Sequence, residues 1–264
     1  HDAPGELERF IAAQHQGPLG GRLRFRLLAA TEGSSEELRG LGTYGFIRNP
    51  AGFVAGAFEQ SPGDLEDFGF VMERAILKAT DLDLGTCWLG GTFSRSTFAA
   101  RMEIQEGETV PAIFSVGHPG ARRGTLDRVV RWGAGSRRRR PWGNLFFHGD
   151  LNTPLTDDLA GDLAEALEMV RLAPSASNRQ PWRVVKEPEA EVLHFLLHRE
   201  AKYNRNLRML KLADLPRVDL GIAMCHMDLA SREAGMAGAW SVGHGSSLDL
   251  PPATEYVATW SRDS

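Results

Sequence analysis

Between Pro174 and Pro181-Trp182 the chain places Ser175, Ser177, Asn178 and Gln180 within six residues. These side chains supply two hydroxyls and two carboxamides, and each carboxamide both donates and accepts hydrogen bonds. Together with the free backbone N–H groups of a short loop, they suit the polar edge of a heteroaromatic ligand better than a metal or an acyl substrate. Pro, Ser and Asn also populate plain helix-to-strand turns, so composition alone leaves that reading open. Other residues offer less. His194 and His198 lie four apart in a strand-like segment and would share one side, but no third ligand is near and no zinc site is expected. His226, on a Met-rich helix, reads as a packed core histidine. There is no Gly-x-Ser-x-Gly elbow and no Ser-His-Asp order, so hydrolase chemistry is not supported.

The loop needs a helix before it and a strand after it. Leu159–Leu172 is amphipathic and runs into Pro174, which has no N–H and biases its predecessor away from helix. Val184-Val185 begins a strand. The same order occurs earlier. Residues 4–16 read as a helix, Gly17-Pro18-Leu19-Gly20-Gly21 breaks it, and Arg22–Leu27 alternates polar and apolar as a half-buried strand does. Tyr44–Ile47 and Gly52–Phe58 read as short segments near a second strand. Asp67–Leu82 is predicted to be helical with Asp67 as its N-cap. Leu84–Phe93 then carries Leu89-Gly90-Gly91, where missing side chains allow a backbone to approach a ligand closely. A plain turn packed around Trp88 is the competing reading. Pro111–Val116 reads as a strand, and Asp219–Met236 as a helix.

The whole chain has 264 residues, 42% hydrophobic and 24% charged, with a net charge of −4. That is ordinary for a soluble globular protein with a substantial core, and it gives no global attraction to nucleic acid or anionic membrane. No apolar run approaches the roughly 20 residues that span a bilayer. The chain opens on His1, as a trimmed N-terminus would, and shows no signal peptide. Cys87 and Cys225 lie in apolar segments, are expected to be buried, and make no disulfide framework; a reducing cytoplasm is the expected location. Arg137-Arg138-Arg139-Arg140 reads as a solvated linker on its own. It lacks the interleaved aromatics of a nucleic-acid tail.

Pro174-Ser175-x-x-Asn178-x-Gln180-Pro181-Trp182 closely resembles the flavin-binding signature of the nitroreductase family of FMN-dependent NAD(P)H oxidoreductases. The resemblance implies that Pro174, Ser175, Ala176, Ser177, Asn178 and Gln180 hold the flavin. It also implies that a backbone N–H of the Leu89-Gly90-Gly91 stretch reaches the flavin ring. Arg137-x-Arg139-x-Pro141 is similar to the family's phosphate-binding element, and guanidinium forks suit a phosphate dianion. The family's Arg-Arg-Ser-x-Arg opening has no counterpart before Pro4, which motivates an alternative: a flavin-binding or flavin-storing protein without catalysis. A structural pseudoenzyme acting through interactions would bind no flavin at all.

In the family the loop normally sits near the N-terminus of a subunit of this length, whereas here it lies past the midpoint. Placing Asp67 on Asp219 resolves this. Gly69 then meets Gly221, Met72 meets Met224, Leu77 meets Leu229 and Trp88 meets Trp240, all at an offset of 219 − 67 = 152. A constant offset marks an internal duplication. The expected fold is α+β: two fused half-length nitroreductase-like repeats, residues 1–148 and 149–264, forming a single-chain pseudodimer about a pseudo-twofold axis. The first half keeps the glycine stretch and the phosphate arginines, and the second keeps the Pro-Ser-x-x-Asn loop. The resemblance therefore implies one FMN site between the halves, NADH or NADPH as co-substrate, and a nitroaromatic, quinone or related acceptor. It implies no catalytic side chain, no metal, and a monomer with no nucleic-acid or membrane partner.

Overall fold

The computed structural model describes residues 2–29, 50–91, 93–118, 138–243 and 248–263. Tyr44–Ile47 and Arg137 lie outside the described residues.

Helix α1 (Ala3–Ala12) starts where the Asp2 carboxylate accepts from Gly5 N at 3.1 Å, with Pro4 in the first turn. It ends four residues short of Gln16, which bridges to Arg22 across the Gly17–Gly21 turn. Strands β1 (Leu23–Ala29) and β2 (Gly52–Glu59) follow, then α2 (Asp64–Asp81), β3 (Gly85–Leu89), α3 (Arg95–Met102), β4 (Glu108–Thr109) and β5 (Ile113–Gly117). The sheet order is β1-β2-β5-β3, with β4 pairing off β2. Side chains on β2 alternate between two cores, as a period of two requires. Val54 and Phe58 face the helices, while Phe53, Ala55 and Ala57 join Phe98 and Met102 of α3 on the other face.

The second sheet is built from β6 (Phe146–His148), β7 (Trp182–Lys186), β8 (Val192–His198), β9 (Gly238–Ser241) and β10 (Thr254–Arg262), in the order β6-β7-β8-β10-β9. Its helices are α4 (Asp157–Ala160), α5 (Ala164–Leu172), α6 (Ala201–Met209) and α7 (Leu215–Glu233). Apart from β4 and β6, both sheets follow one plan: β1, β2, β5, β3 in the first and β7, β8, β10, β9 in the second. In each, the last strand inserts antiparallel between the second and the third. The architecture is α+β.

The sheets are joined through α2 and α7, which share one large core with them. Both helices carry a glycine where they cross. A Cβ on Gly69 would stand inside the carbonyl oxygen of Val218, and a Cβ on Gly221 inside that of Glu66. The two contacts are reciprocal, since 66 + 152 = 218 and 69 + 152 = 221. Buried Glu66 also accepts from Arg217 at 2.6 Å, and Glu73 accepts from Trp88 Nε1 at 2.8 Å and lies 3.0 Å from His226 Nε2.

Four expectations need correction. Asp67 is not the N-cap, because α2 begins at Asp64 after Gly63, and Asp67 falls in its first turn. Its carboxylate leaves the helix and accepts from Leu19 N at 2.8 Å and Gly21 N at 2.6 Å. The Leu159–Leu172 stretch is not continuous, because Gly161 at φ 56 stops α4 and a 3₁₀ turn intervenes before α5. Cys87 is exposed, since β3 is an edge strand whose side chains alternate outward, whereas Cys225 is buried on α7. His226, expected in the core, is only partly buried, because its ring reaches Glu73 at the helix crossing.

Candidate functional site

The polar loop leaves α5 at Ala173, where Pro174 prevents another helical turn, and enters β7 at Trp182, whose side chain is fully buried. Between them the backbone is unusual: Ser177, Asn178 and Gln180 have φ of 52°, 53° and 50°. The left-handed region is sterically costly for residues with a Cβ, and clusters of such residues occur where surrounding structure enforces them.

Several bonds provide that enforcement. Ala176 N donates to Asp219 Oδ1 at 2.8 Å, Asn178 N to Ser175 O at 2.9 Å, and Gln180 N to Ser175 Oγ at 2.9 Å. The loop's N–H groups are thus largely engaged, not free as expected from the sequence, because the chain curls back on itself. Asp219 and Asp67 both stand near the start of their helices, α7 and α2, and each accepts from a backbone N–H of the turn beside its helix. Asp67 uses both oxygens; Asp219 uses one, and its Oδ2 is buried without a partner among the described residues. Burial pushes the Asp219 carboxyl up to about 8, against which the single bond from Ala176 N acts weakly. Tyr203 of α6 hydrogen-bonds Ser177, and burial raises its phenol to about 12.

The arginine run packs onto the same loop. The Arg138 carbonyl accepts from Asn178 Nδ2 at 2.8 Å, and Arg140 N donates to Gln180 Oε1 at 2.7 Å. Arg139 donates to the Leu172 carbonyl from Nε (3.1 Å) and Nη2 (2.9 Å), closing the C-terminus of α5. Its Nη1 also reaches Asn178 Oδ1 at 3.4 Å. Residues about 40 apart in sequence are therefore joined at one place.

Leu89 ends β3, buried and paired with Ile113. Gly90 faces Leu215 at the start of α7, and Gly91 faces Leu212 just before it. Leu215 and Asp219 are one turn apart, about 6 Å along the axis. The first turns of α7 thus support the glycine stretch at Leu215 and the polar loop at Asp219. Of the residues singled out from sequence, Pro174 to Gln180, Arg139, Gly90 and Gly91 converge on the start of this helix or on the loop it holds, whereas Leu89 packs with Phe53 and Phe98 on the other face of the first sheet. Sequence reading missed the carboxylate contact of Asp219, Tyr203, and Glu200, which binds Arg140 at 2.8 Å and Arg179 at 3.0 Å. The signal available for Asp219 was its alignment with Asp67. His194, bonded to Thr259 and Glu187, and His198, bonded to Thr254, are held by neighbouring strands and their ends. No group of three or more metal-ligating side chains occurs among the described residues, and no helix there is long and apolar enough to cross a membrane.

The family model described as "Putative TM nitroreductase" matches residues 21–231. Among solved structures, a putative nitroreductase from Thermotoga maritima is 20% identical with a TM-score of 0.58, over 97% of this chain and 83% of its own. A putative nitroreductase from Anabaena variabilis is 9% identical with a TM-score of 0.50, over 81% of this chain and 69% of its own. An FMN-dependent nitroreductase from Clostridium difficile is 14% identical, over 48% of this chain and 82% of its own, with a TM-score of 0.37. No curated protein matches. The first two likenesses show a shared fold.

Proposed function

The chain belongs to the family described as "Putative TM nitroreductase", and from that premise we propose that it is an FMN-dependent oxidoreductase. It uses NADH or NADPH to reduce a nitroaromatic, quinone or related acceptor at one flavin site between residues 1–148 and 149–264. The observation that carries this reading is the loop Pro174–Gln180: three left-handed residues held by a buried carboxylate and by the arginine run. Its residues fit the group. Ser175, Ala176, Ser177, Asn178 and Gln180 would take the polar edge of the ring, the Gly90-Gly91 backbone would approach it without a Cβ in the way, and Arg139 with Arg137 would meet the phosphate. When bound, the flavin supplies two-electron transfer between the nicotinamide and the acceptor. The protein's part is to bind, orient and exclude water; no side chain need act as acid or base.

The common strand order of the two sheets, the reciprocal glycine contacts and the Asp67–Asp219 correspondence support reading the halves as repeats about a pseudo-twofold axis. Only the second half keeps the polar loop, which supports a single site. A chain that already contains the paired surface should be a monomer, and light scattering should give the mass of one chain. A value of two chains at low concentration would overturn that.

Asn178→Ala is expected to weaken FMN binding roughly tenfold, since a desolvated neutral hydrogen bond is worth about 1 kcal/mol and leaves a partner unsatisfied when lost. Gln16→Ala, in the corresponding turn of the first half, should leave binding unchanged. Flavin fluorescence quenching reads both affinities and the stoichiometry, expected at one flavin per chain. Two flavins per chain, or the opposite ranking of the variants, would place the site wrongly. A second reading, flavin storage without catalysis, is motivated by the single surviving polar loop, Pro174–Gln180. Steady-state NAD(P)H oxidation with a dye acceptor separates the two.

A further inference from the structure

Beside the loop stands a cluster of cations that the flavin reading does not use. Trp182 and Val184 of β7 point into the core, so Arg183 between them points to the opposite face, with Leu196 directly across on β8 and His198 diagonal to it. Arg140 from the run and Arg179 from the loop converge there on Glu200. One Glu200 oxygen takes Arg140 at 2.8 Å and the other takes Arg179 at 3.0 Å. Both oxygens are then engaged. Arg183 has no carboxylate within bonding distance among the described residues. Its Nη1 donates to the carbonyls of Trp182 at 2.6 Å and Gln180 at 3.3 Å, which leaves Nε and Nη2 of the fork unengaged there.

Three guanidinium charges thus face one carboxylate, a local balance of about +2. Burial, with Arg140 nearby, lowers the Arg183 guanidinium to about 10, and burial, with Arg183 and Arg140 nearby, lowers His198 as well. A largely desolvated cation without a counter-ion is costly to fold around, and replacing it with an apolar side chain is often neutral or stabilising. Such a fork matches a phosphate oxygen pair in geometry, and the surplus matches a phosphate dianion in charge.

We propose that Arg183, with Arg140 and Arg179, forms a phosphate-binding site at the end of β7 that joins the polar loop, separate from Arg139, whose guanidinium closes α5. The ligand is the 2′-phosphate of a reduced dinucleotide. The choice of that nucleotide rests on the oxidoreductase reading above.

The experiment compares the full chain with Arg183→Leu, Arg183→Lys and, as a distant control, Arg262→Leu, whose partner is Glu191. Melting temperature is followed against sodium phosphate, with sodium chloride at matched ionic strength. Saturable stabilisation by phosphate beyond chloride is expected for the wild type and Arg262→Leu. It should be lost in Arg183→Leu and at least halved in Arg183→Lys, which keeps the charge without the fork. Without phosphate, Arg183→Leu should melt no lower than wild type. Phosphate acting no better than chloride on the wild type overturns the site, as does a full response in Arg183→Leu. Should Arg183→Leu fail to fold, the lysine variant decides by the same criterion. Two further ratios test the assignment: NADPH against NADH KM, and FMN against riboflavin affinity. A roughly tenfold rise of the first in Arg183→Leu is expected, because losing the fork weakens NADPH alone. No change in it, or a fall of the second instead, overturns the dinucleotide assignment. The inorganic phosphate arm needs no flavin, so it stands even if FMN does not bind.

Discussion

Gly221→Ala should lower the melting temperature by about 10 °C. The added Cβ would sit inside the carbonyl oxygen of Glu66 and against Phe70 N, both backbone atoms that no rotamer change can move aside. The helices α2 and α7 must therefore separate, loosening the core they share with both sheets. Overpacking costs about 1–3 kcal/mol where side chains can yield, and about 3 kcal/mol or more is expected where backbone must. At about 2–4 °C per kcal/mol for a chain of this size, that gives the stated drop. Gly69→Ala acts on the reciprocal contact with Val218 and should cost a similar amount. The double variant is the sharper test. Once one alanine has parted the helices the second finds room, so the double should destabilise by clearly less than the two singles together. Full additivity in chemical denaturation would mean that the two glycines do not share one crossing.

Asp219→Asn should raise stability, and by an amount that depends on pH. The buried Asp219 carboxyl titrates at about 8, against an ordinary value of 3.8. Between those values the unfolded chain has released a proton that the folded chain still holds, so stability falls as pH rises from about 4 to about 8 and is flat beyond. Asparagine keeps the acceptor for Ala176 N and never ionises, so it removes this slope. Near pH 4 the two proteins should melt together. The variant's advantage should then grow by roughly 1.4 kcal/mol per pH unit towards pH 8. Asp67, raised by burial to about 6, adds a slope of the same sign between about 4 and 6, but it is common to both proteins and cancels in the difference. Melting temperatures at pH 4, 6 and 8 check this. A constant difference would mean that Asp219 is already ionised with a partner. A carboxyl kept at such a cost points to the loop it holds as the reason for keeping it.

Much of this was legible in the sequence because it rests on local pattern. The alternation over Arg22–Leu27, the apolar run of Val192–His198 and the stop at Pro174 each depend on neighbours a few residues away, and each element was found. The offset of 152 located Asp67, Gly69, Asp219 and Gly221, the residues at the helix crossing and its turns. Their uses were not legible. The helix-start signal made Asp67 a cap, but its partners are Leu19 and Gly21, 46 to 48 residues away. Cys87 looked buried because β3 is apolar, and nothing local says that β3 lies at a sheet edge. Arg139 fitted a phosphate pattern, yet whether a guanidinium also closes a helix depends on where that helix ends in space. Arg183 could have been found: Trp182 and Val184 facing inward oblige it to face outward beside His198.

The order in which the chain is made and the order in which it can fold are at odds. β10 is the last strand among the described residues, yet it sits between β8 and β9 and so completes the second sheet from within. The Glu66–Arg217 bond, beside the helix crossing, spans 151 residues. During synthesis the first sheet can pair early, but the glycine face of α2 has nothing to meet until α7 emerges, and β8 waits longer still for its inner neighbour. Loop closure over such distances is slow, and the waiting surfaces are apolar and sticky. Refolding from denaturant should therefore be slow for a protein of this size, and the nascent chain is a natural client for a holding chaperone until its final strand is free.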